Sequence, residues 1–284
     1  MLKTYYELTK PGIIRGNLMT AAAGFFLGSM GNIDFGRLLA ALGGISLLIA
    51  SACVFNNYID RRIDKLMKRT KKRALAAGQV SVRSAMVYAV FLGLSGFILL
   101  ALFTNLLTVA LGLIAMFFYV VVYGYVKRRS EHGTLVGTIP GALPPVAGYT
   151  AVTNEIDMAA SLLFLALVCW QMPHFYAISI FRMKEYETAK IPVLPLKKGV
   201  SETKKQMLAY MLAFGVIATL FAAYGFAGYI YLIAIIFVSL RWLQIMFRGF
   251  EATDDAIWAR SVFGFSLMVL TVFSAALSLD SLLR

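Results

Sequence analysis

Charge is scarce in this chain of 284 residues: Asp, Glu, Lys and Arg make up 14% of it, whereas 60% is hydrophobic. Soluble domains carry roughly a quarter charged residues, so an ordinary soluble globule is excluded. Cysteine is almost absent. Cys53 and Cys169 are too few for a disulfide scaffold, lack metal-ligand spacing and fall in apolar stretches, so both read as core residues. Histidine is equally sparse, with only His132 and His174. No hydrophilic linker is long enough to part soluble domains, so residues 1–284 read as one domain. Acidic residues are half as common as basic ones, 14 against 27, and the net charge of +13 raises the question of nucleic acid.

What the chain has instead is long apolar blocks of about 18 to 24 residues, the length that crosses ~30 Å of hydrocarbon as helix. Blocks near 14–31, 37–58, 84–103, 105–126, 134–153, 158–181, 205–224, 227–247 and 259–279 predict an all-α, polytopic membrane bundle of about nine transmembrane helices around a central cavity. Their lack of alternation argues against an outer-membrane barrel, whose strands read apolar-polar in ~10-residue runs. The first block has a basic start and the small residues Ala21-Ala22-Ala23, as a signal peptide does, but in a multispan chain it reads as a retained first helix.

The basic residues answer the nucleic-acid question by where they sit. One side of the predicted bundle holds three in the N-terminal segment, nine in 59–83, three in 127–129, seven in 182–205 and three in 241–260, leaving Arg37 and Arg284 on the other. Positive loops stay in the cytoplasm, which predicts a cytoplasmic N-terminus, an outer C-terminus and the lipid bilayer of the cell membrane, not nucleic acid, as partner. The outer loops, Thr104-Asn105 and Asn154 to Asp157, are short. The elaborate inner loops 59–83 and 182–205 each follow an even-numbered span, a recurrence that hints at a structural repeat. Short caps outside and long loops inside place chemistry near 59–83, 127–134 and 182–205, facing the cytoplasm.

Two glycine pairs at four-residue spacing, Gly24/Gly28 and Gly137/Gly141, predict close helix packing. The fifth block holds Pro140, Pro144 and Pro145. Such a helix loses amide donors and kinks, either as a packing irregularity or as a cavity wall.

At the inner end of the second block, Asn56, Asp60 and Asp64 stand at i, i+4 and i+8, stacked on one helix face with ~40° of drift per step. Asn56 lies inside the apolar span, where polar groups are costly and usually face a cavity. Magnesium takes one or two carboxylates from protein and fills its octahedron with water and phosphate oxygens, so this ladder suits it better than a helix end fraying into water. The basic run Lys65 to Arg73 follows at once. Such a run often marks only topology or anionic lipid. Beside metal-binding carboxylates, however, Arg and Lys make a site for a magnesium diphosphate and for ionisation of an allylic diphosphate.

Asn56-x-x-x-Asp60-x-x-x-Asp64, with Tyr58 inside it, resembles the first aspartate-rich motif of the UbiA-type intramembrane prenyltransferases, and most of all their heme-prenylating branch. The supporting stretches run in order along the chain: Leu8-Thr9-Lys10-Pro11; Arg69-Thr70 and Arg73; Lys127-Arg128-Arg129 with Gly133-Thr134; Gly141 to Pro145; Trp170 to Phe175; and Ile191 to Pro195. The resemblance implies a nine-helix bundle around an embedded cavity. It also implies transfer of a farnesyl group from farnesyl diphosphate to a vinyl group of heme B, with addition of water, giving heme O and diphosphate. Heme A synthase or terminal-oxidase assembly machinery are the partners that go with such a product. The second Asp-rich motif of the wider family is missing: Ile180 and Lys184 stand where carboxylates are expected, with Glu185 and Glu187 nearby and His174, Arg182 and Glu185 roughly on one helix face. A second metal held by carboxylates alone is therefore not implied, and Arg182 and Lys184 are expected to meet the diphosphate directly.

The candidate roles follow. Asn56, Asp60 and Asp64 hold Mg2+ and are the catalytic set; Arg69, Lys72, Arg73, Arg128, Arg182 and Lys184 grip the diphosphate. Tyr58 or Tyr123 offers an aromatic face to an allylic cation. His174, Tyr123 and Arg129 meet the heme, His174 as an axial ligand of the iron or as a satisfied core histidine. Arg128 and Arg129 could equally meet heme propionates. Rival readings are a transporter, expected to carry paired charges and broken helices at mid-membrane; a prenyltransferase with an aromatic or quinone-precursor acceptor; and a non-catalytic heme-binding factor, which would not need the ladder.

Overall fold

The computed structural model describes residues 1–283; Arg284, one of the two basic residues assigned to the outer side, lies outside them. Among the described residues the chain is helical without strands. A short α1 (Leu2–Leu8) leads into α2 (Pro11–Ser29) and α3 (Phe35–Asp64). After a run of turns come α4 (Val82–Phe103) and α5 (Leu106–Phe117), which passes through a π-helical turn (Phe118–Val122) into α6 (Tyr123–Val126). Then follow α7 (Gly133–Thr153), α8 (Met158–Phe181), α9 (Met183–Thr188), α10 (Leu194–Ala223), α11 (Tyr229–Arg248) and α12 (Asp255–Leu282).

Seven helices are long and apolar enough to cross a membrane: α3, α4, α5 continued through α6, α8, α10, α11 and α12. Their outward faces are apolar, as Phe91, Leu94, Ile98 and Leu102 show on α4 and Ile230, Ile233 and Phe237 on α11. The chain is a multi-pass membrane protein. The blocks read as first and fifth spans are the helices α2 and α7, which stand outside those seven. Their low hydropathy has a reason. Much of α7, from Ala142 to Ala151, is buried inside the bundle, where Gly, Pro and Thr cost no lipid contact.

Helix ends follow local chemistry. Asp34, Ser81, Asn105, Asp157 and Asp254 cap α3, α4, α5, α8 and α12 by accepting from backbone N–H groups of the first turn. Two expectations change. The predicted loop 182–205 holds α9 and the start of α10, broken at Gly199, whose φ of 83° only glycine adopts freely. And the helix face expected to carry His174, Arg182 and Glu185 does not exist, because α8 ends at Phe181 and the chain turns at Arg182 before α9.

Gly24 and Gly28 turn toward α7: a Cβ on Gly24 would strike the Pro145 carbonyl, and one on Gly28 would crowd Tyr149. Gly148 reciprocates against the Ala21 carbonyl. Gly137 and Gly141 serve other contacts, against the Tyr123 ring and the Gln171 amide. Gly24→Val or Gly148→Val must push two backbones apart, so a loss of about 2–3 kcal/mol is expected. Gly264→Ala, with nothing within 4 Å of the added carbon, should be neutral or stabilise by up to ~1 kcal/mol. Thermal unfolding in detergent separates the two outcomes.

Candidate active site

The helix α3 outlasts its apolar block, so the ladder sits on regular helix within the protein. Asn56, Asp60 and Asp64 are 3%, 9% and 4% exposed, and all three line one cavity of about 720 Å³. Buried carboxylates need partners, and these come from two separate segments, with a third reaching Asn56. Lys127 Nζ lies 2.5 Å from one Asp60 oxygen and Arg128 donates to the other at 3.0 Å. Arg128 also donates to the Ile59 carbonyl at 2.6 Å. Arg73 donates to both Asp64 oxygens, at 3.0 and 2.9 Å. Lys10 donates to Asn56 Oδ1 at 3.1 Å, and Asn56 Nδ2 is buried without a partner.

Lys10 arrives by an unusual route. It caps α2 in the left-handed region, φ 54° and ψ 66°, with Pro11 starting the helix. A non-glycine residue pays ~1–3 kcal/mol for such a conformation and keeps it where the surroundings demand it. Burial pushes its ammonium down to about 8, and the nearby Arg73 and Lys127 add to the shift.

The turns after α3 fold back over the cavity. Thr70 Oγ1 donates to the Asp64 carbonyl at 3.0 Å. The backbone N–H of Arg69 donates to Glu185 at 3.4 Å, and Arg182 pairs with the same carboxylate at 2.9 Å. The two loops singled out in the sequence thus meet, and Arg69, Arg182 and Tyr186 all line the cavity. Burial pushes the Tyr186 phenol up to about 12.

The other walls are aromatic and proline-rich. The π-helical turn brings Tyr119 and Tyr123 to the cavity, stacked with centroids 5.7 Å apart, and Lys127 sits 4.7 Å from the centre of the Tyr123 ring. Pro140, Pro144 and Pro145 deprive the Val136, Pro140 and Gly141 carbonyls of their helical donors; Pro140, Gly141 and Pro144 line the cavity, so α7 is a cavity wall. On α8, Trp170, Gln171 and His174 complete it.

The structure brings together Asn56, Asp60, Asp64, Arg69, Arg73, Tyr123, Arg128, His174 and Arg182 on this one cavity. It leaves out Lys72, Lys184 and Arg129. Lys72 and Lys184 are exposed on turns and on α9, and Arg129 is exposed with its guanidinium 3.8 Å over the Tyr125 ring, which itself faces outward. The chain leaves α6 at Val126, and in the turn that follows Lys127 and Arg128 reach Asp60 whereas Arg129 folds back over Tyr125. Tyr58 is also off the cavity, packed near Leu8 and Val54 with Arg61 4.0 Å from its ring centre. Sequence reasoning missed Lys10, Lys127, Tyr119 and Tyr186. Only the first two left a signal, as basic residues at the edge of apolar blocks.

Among the described residues no three His, Cys, Asp or Glu side chains gather as a metal-ligand set. The ladder offers two carboxylates and an amide, which fits a hard cation that takes its remaining oxygens from phosphate and water. In the structure the basic side chains hold those oxygens, and each stands within reach of any anion brought beside them.

The sequence matches the model of the UbiA prenyltransferase family over residues 17–270. It is 49% identical over 281 residues to the protoheme IX farnesyltransferase of Yersinia enterocolitica, covering 99% of this chain and 95% of that one. It is 48% identical, with the same coverage, to the Escherichia coli O139:H28 protein of that name. In fold it superposes on digeranylgeranylglyceryl phosphate synthase with a TM-score of 0.83 at 19% identity, covering 100% and 99% of the two chains. It also superposes on a UbiA homologue from Archaeoglobus fulgidus bound to GPP and Mg2+, with a TM-score of 0.68 at 17% identity and coverage of 97% and 99%. With a buried oxygen ladder and a ring of cations on one membrane-embedded cavity, and a family match over nine-tenths of its length, this chain belongs to the UbiA prenyltransferase family.

Proposed function

We propose that this protein is a protoheme IX farnesyltransferase, joining the farnesyl group of farnesyl diphosphate to a vinyl group of heme B, with addition of water, to give heme O and diphosphate. The observation that carries the reading is the two-sided cavity. One wall offers buried oxygens matched to cations, as a diphosphate requires, and another offers a histidine within an aromatic cage, as a porphyrin does. The near full-length likeness to protoheme IX farnesyltransferases supports the choice of acceptor.

Asp60 and Asp64, with Asn56, would hold Mg2+, which when bound supplies positive charge to the diphosphate oxygens. Arg73, Lys127 and Arg128, which neutralise the carboxylates in the structure, turn toward the diphosphate as the leaving group's negative charge grows. Arg69 and Arg182 grip it from the overlying loops, and Lys10 adds a further charge beside Asn56. The C1–O bond breaks with its electron pair leaving on diphosphate. The allylic cation lies against the Tyr119–Tyr123 stack, screened from bulk water by the apolar walls. The vinyl π electrons form the new C–C bond, and water adds to the resulting cation beside the porphyrin, losing a proton.

The protein is a single transmembrane domain over 1–284 in the cell membrane, with about nine crossings, a cytoplasmic N-terminus and an outer C-terminus. The side with nearly all the basic loops supports this orientation, and the burial of α7 within the bundle supports counting α2 and α7 with the seven more apolar helices. The cavity's charged end then faces the cytoplasm, where farnesyl diphosphate and heme B are met. Heme A synthase or oxidase assembly machinery would take the product onward.

Membranes containing the protein, supplied with farnesyl diphosphate, heme B and magnesium, should yield heme O by mass spectrometry. EDTA should abolish the product and magnesium restore it. Asp60→Asn or Asp64→Asn protein that retains its melting temperature should lose at least about a hundredfold in kcat/KM; near-normal turnover would remove the ladder from the reaction. Arg73→Ala and Arg128→Ala should raise the KM for farnesyl diphosphate about tenfold or more, while Lys72→Ala, off the cavity, should leave it unchanged.

A further inference from the structure

The setting of His174 fixes more than its position. Its ring stacks on Trp170, centroids 4.8 Å apart and 25° between planes, and lies 4.8 Å from Phe263 on α12. Its Nδ1 is 2.7 Å from Ser266 Oγ, also on α12. The same Ser266 oxygen is 2.6 Å from the Phe263 carbonyl oxygen, one turn back along the helix. A hydroxyl has a single proton. Two oxygens that close repel unless the proton lies between them, so Ser266 donates to Phe263 and has only lone pairs left for the imidazole. Nδ1 must therefore carry a proton and donate it to Ser266.

In a neutral imidazole that leaves Nε2 bare. Neutrality follows from burial: His174 is 9% exposed, and among the described residues no carboxylate pairs with it. Nε2 makes no hydrogen bond within the described chain, and it is not among the buried polar atoms sealed without a partner. His174 lines the cavity whereas Ser266 does not, so one ring nitrogen is turned to the serine and the other is open to the cavity. Ser266 also accepts the Trp170 indole N–H on its backbone carbonyl at 2.7 Å. One residue of α12 thus holds both members of the stacked pair on α8.

We propose that Ser266 is a positioning residue that locks His174 as the Nδ1–H tautomer, so that Nε2 presents its lone pair to the iron of the acceptor heme as an axial ligand. The inference rests on the heme-acceptor reading given above. Histidines that bind a metal through one nitrogen commonly donate the other N–H to an oxygen, which sets both tautomer and ring tilt. Here the oxygen is a serine whose own proton is already committed. The opposite tautomer, with hydrogen on Nε2, would close the cavity to iron while leaving the packing the same. A fixed iron–nitrogen axis in turn fixes how far the porphyrin, and with it the vinyl group, stands from the ladder.

Full-length protein labelled with [15N]histidine, in detergent and without heme, tests the tautomer directly, since His132→Gln leaves His174 as the one signal. The expected result is a protonated Nδ1 and a bare Nε2. Heme B titrated into the wild type should give the optical and electron paramagnetic signature of axial imidazole, lost in His174→Ala. Ser266→Ala, at unchanged melting temperature and unchanged farnesyl diphosphate affinity, should bind heme about tenfold or more weakly and raise the KM for heme more than it lowers kcat. His174 protonated on Nε2, or Ser266→Ala with wild-type spectrum and heme affinity, would overturn this inference while heme O formation by the wild type left the acceptor reading standing. A wild type that bound no heme would overturn both.

Discussion

The architecture turns on the need to neutralise carboxylates buried at one end of a membrane bundle. Asp60 and Asp64 are removed from water where a lone charge would cost several kcal/mol. Each is met by cations that do not belong to its own helix: Lys127 and Arg128 from the end of α6, and Arg73 from the turns after α3. Lys10, at the start of α2, completes the set through Asn56. These ion pairs and the Lys10 hydrogen bond therefore tie three stretches of chain to one face of α3. They also keep the cavity's charged end assembled in a form that another cation and another anion can exchange into.

The space they close over exists because α2 and α7 approach backbone to backbone. Glycines on both sides permit this, and two of the prolines of α7, Pro140 and Pro144, line the void. The same residues that make α7 a poor transmembrane segment by composition make it a good wall. Its prolines are buried in the interior, while the more apolar helices α4, α5 and α11 take the outward positions. Hydropathy and burial thus divide the labour among the helices.

Much of this was legible in the chain itself. The helical blocks, the ladder spacing and the converging basic loops rest on periodicity and charge, which are local properties. The break at Arg182 was not legible, because Phe181 to Lys184 carries neither proline nor glycine, and the contacts there, from Glu185 to Arg182 and to the Arg69 backbone, join loops far apart in sequence. Nor could spacing tell Lys127 from Arg129 or exclude Tyr58, since adjacent residues share composition but not direction. Lys10 looked like an ordinary flanking lysine; only its left-handed backbone and its reach to Asn56 mark it out. Ser266 was wholly silent, a small polar residue in an apolar helix whose significance lies 92 positions away in His174.

The π-helical turn at Phe118–Val122 has a consequence for how this protein can change over time. One surplus residue rotates everything beyond it by about 100° about the helix axis. The lipid-facing stripe of α5 and the cation-bearing end at Lys127 and Arg128 are thus set on independent clocks. Substitutions that retune the outer surface to a thicker or differently composed bilayer can accumulate along α5 without turning the cations away from α3. Re-winding the turn as regular α-helix with all its residues kept would, by contrast, swing them away from α3, whereas deleting one residue from it would leave their direction unchanged.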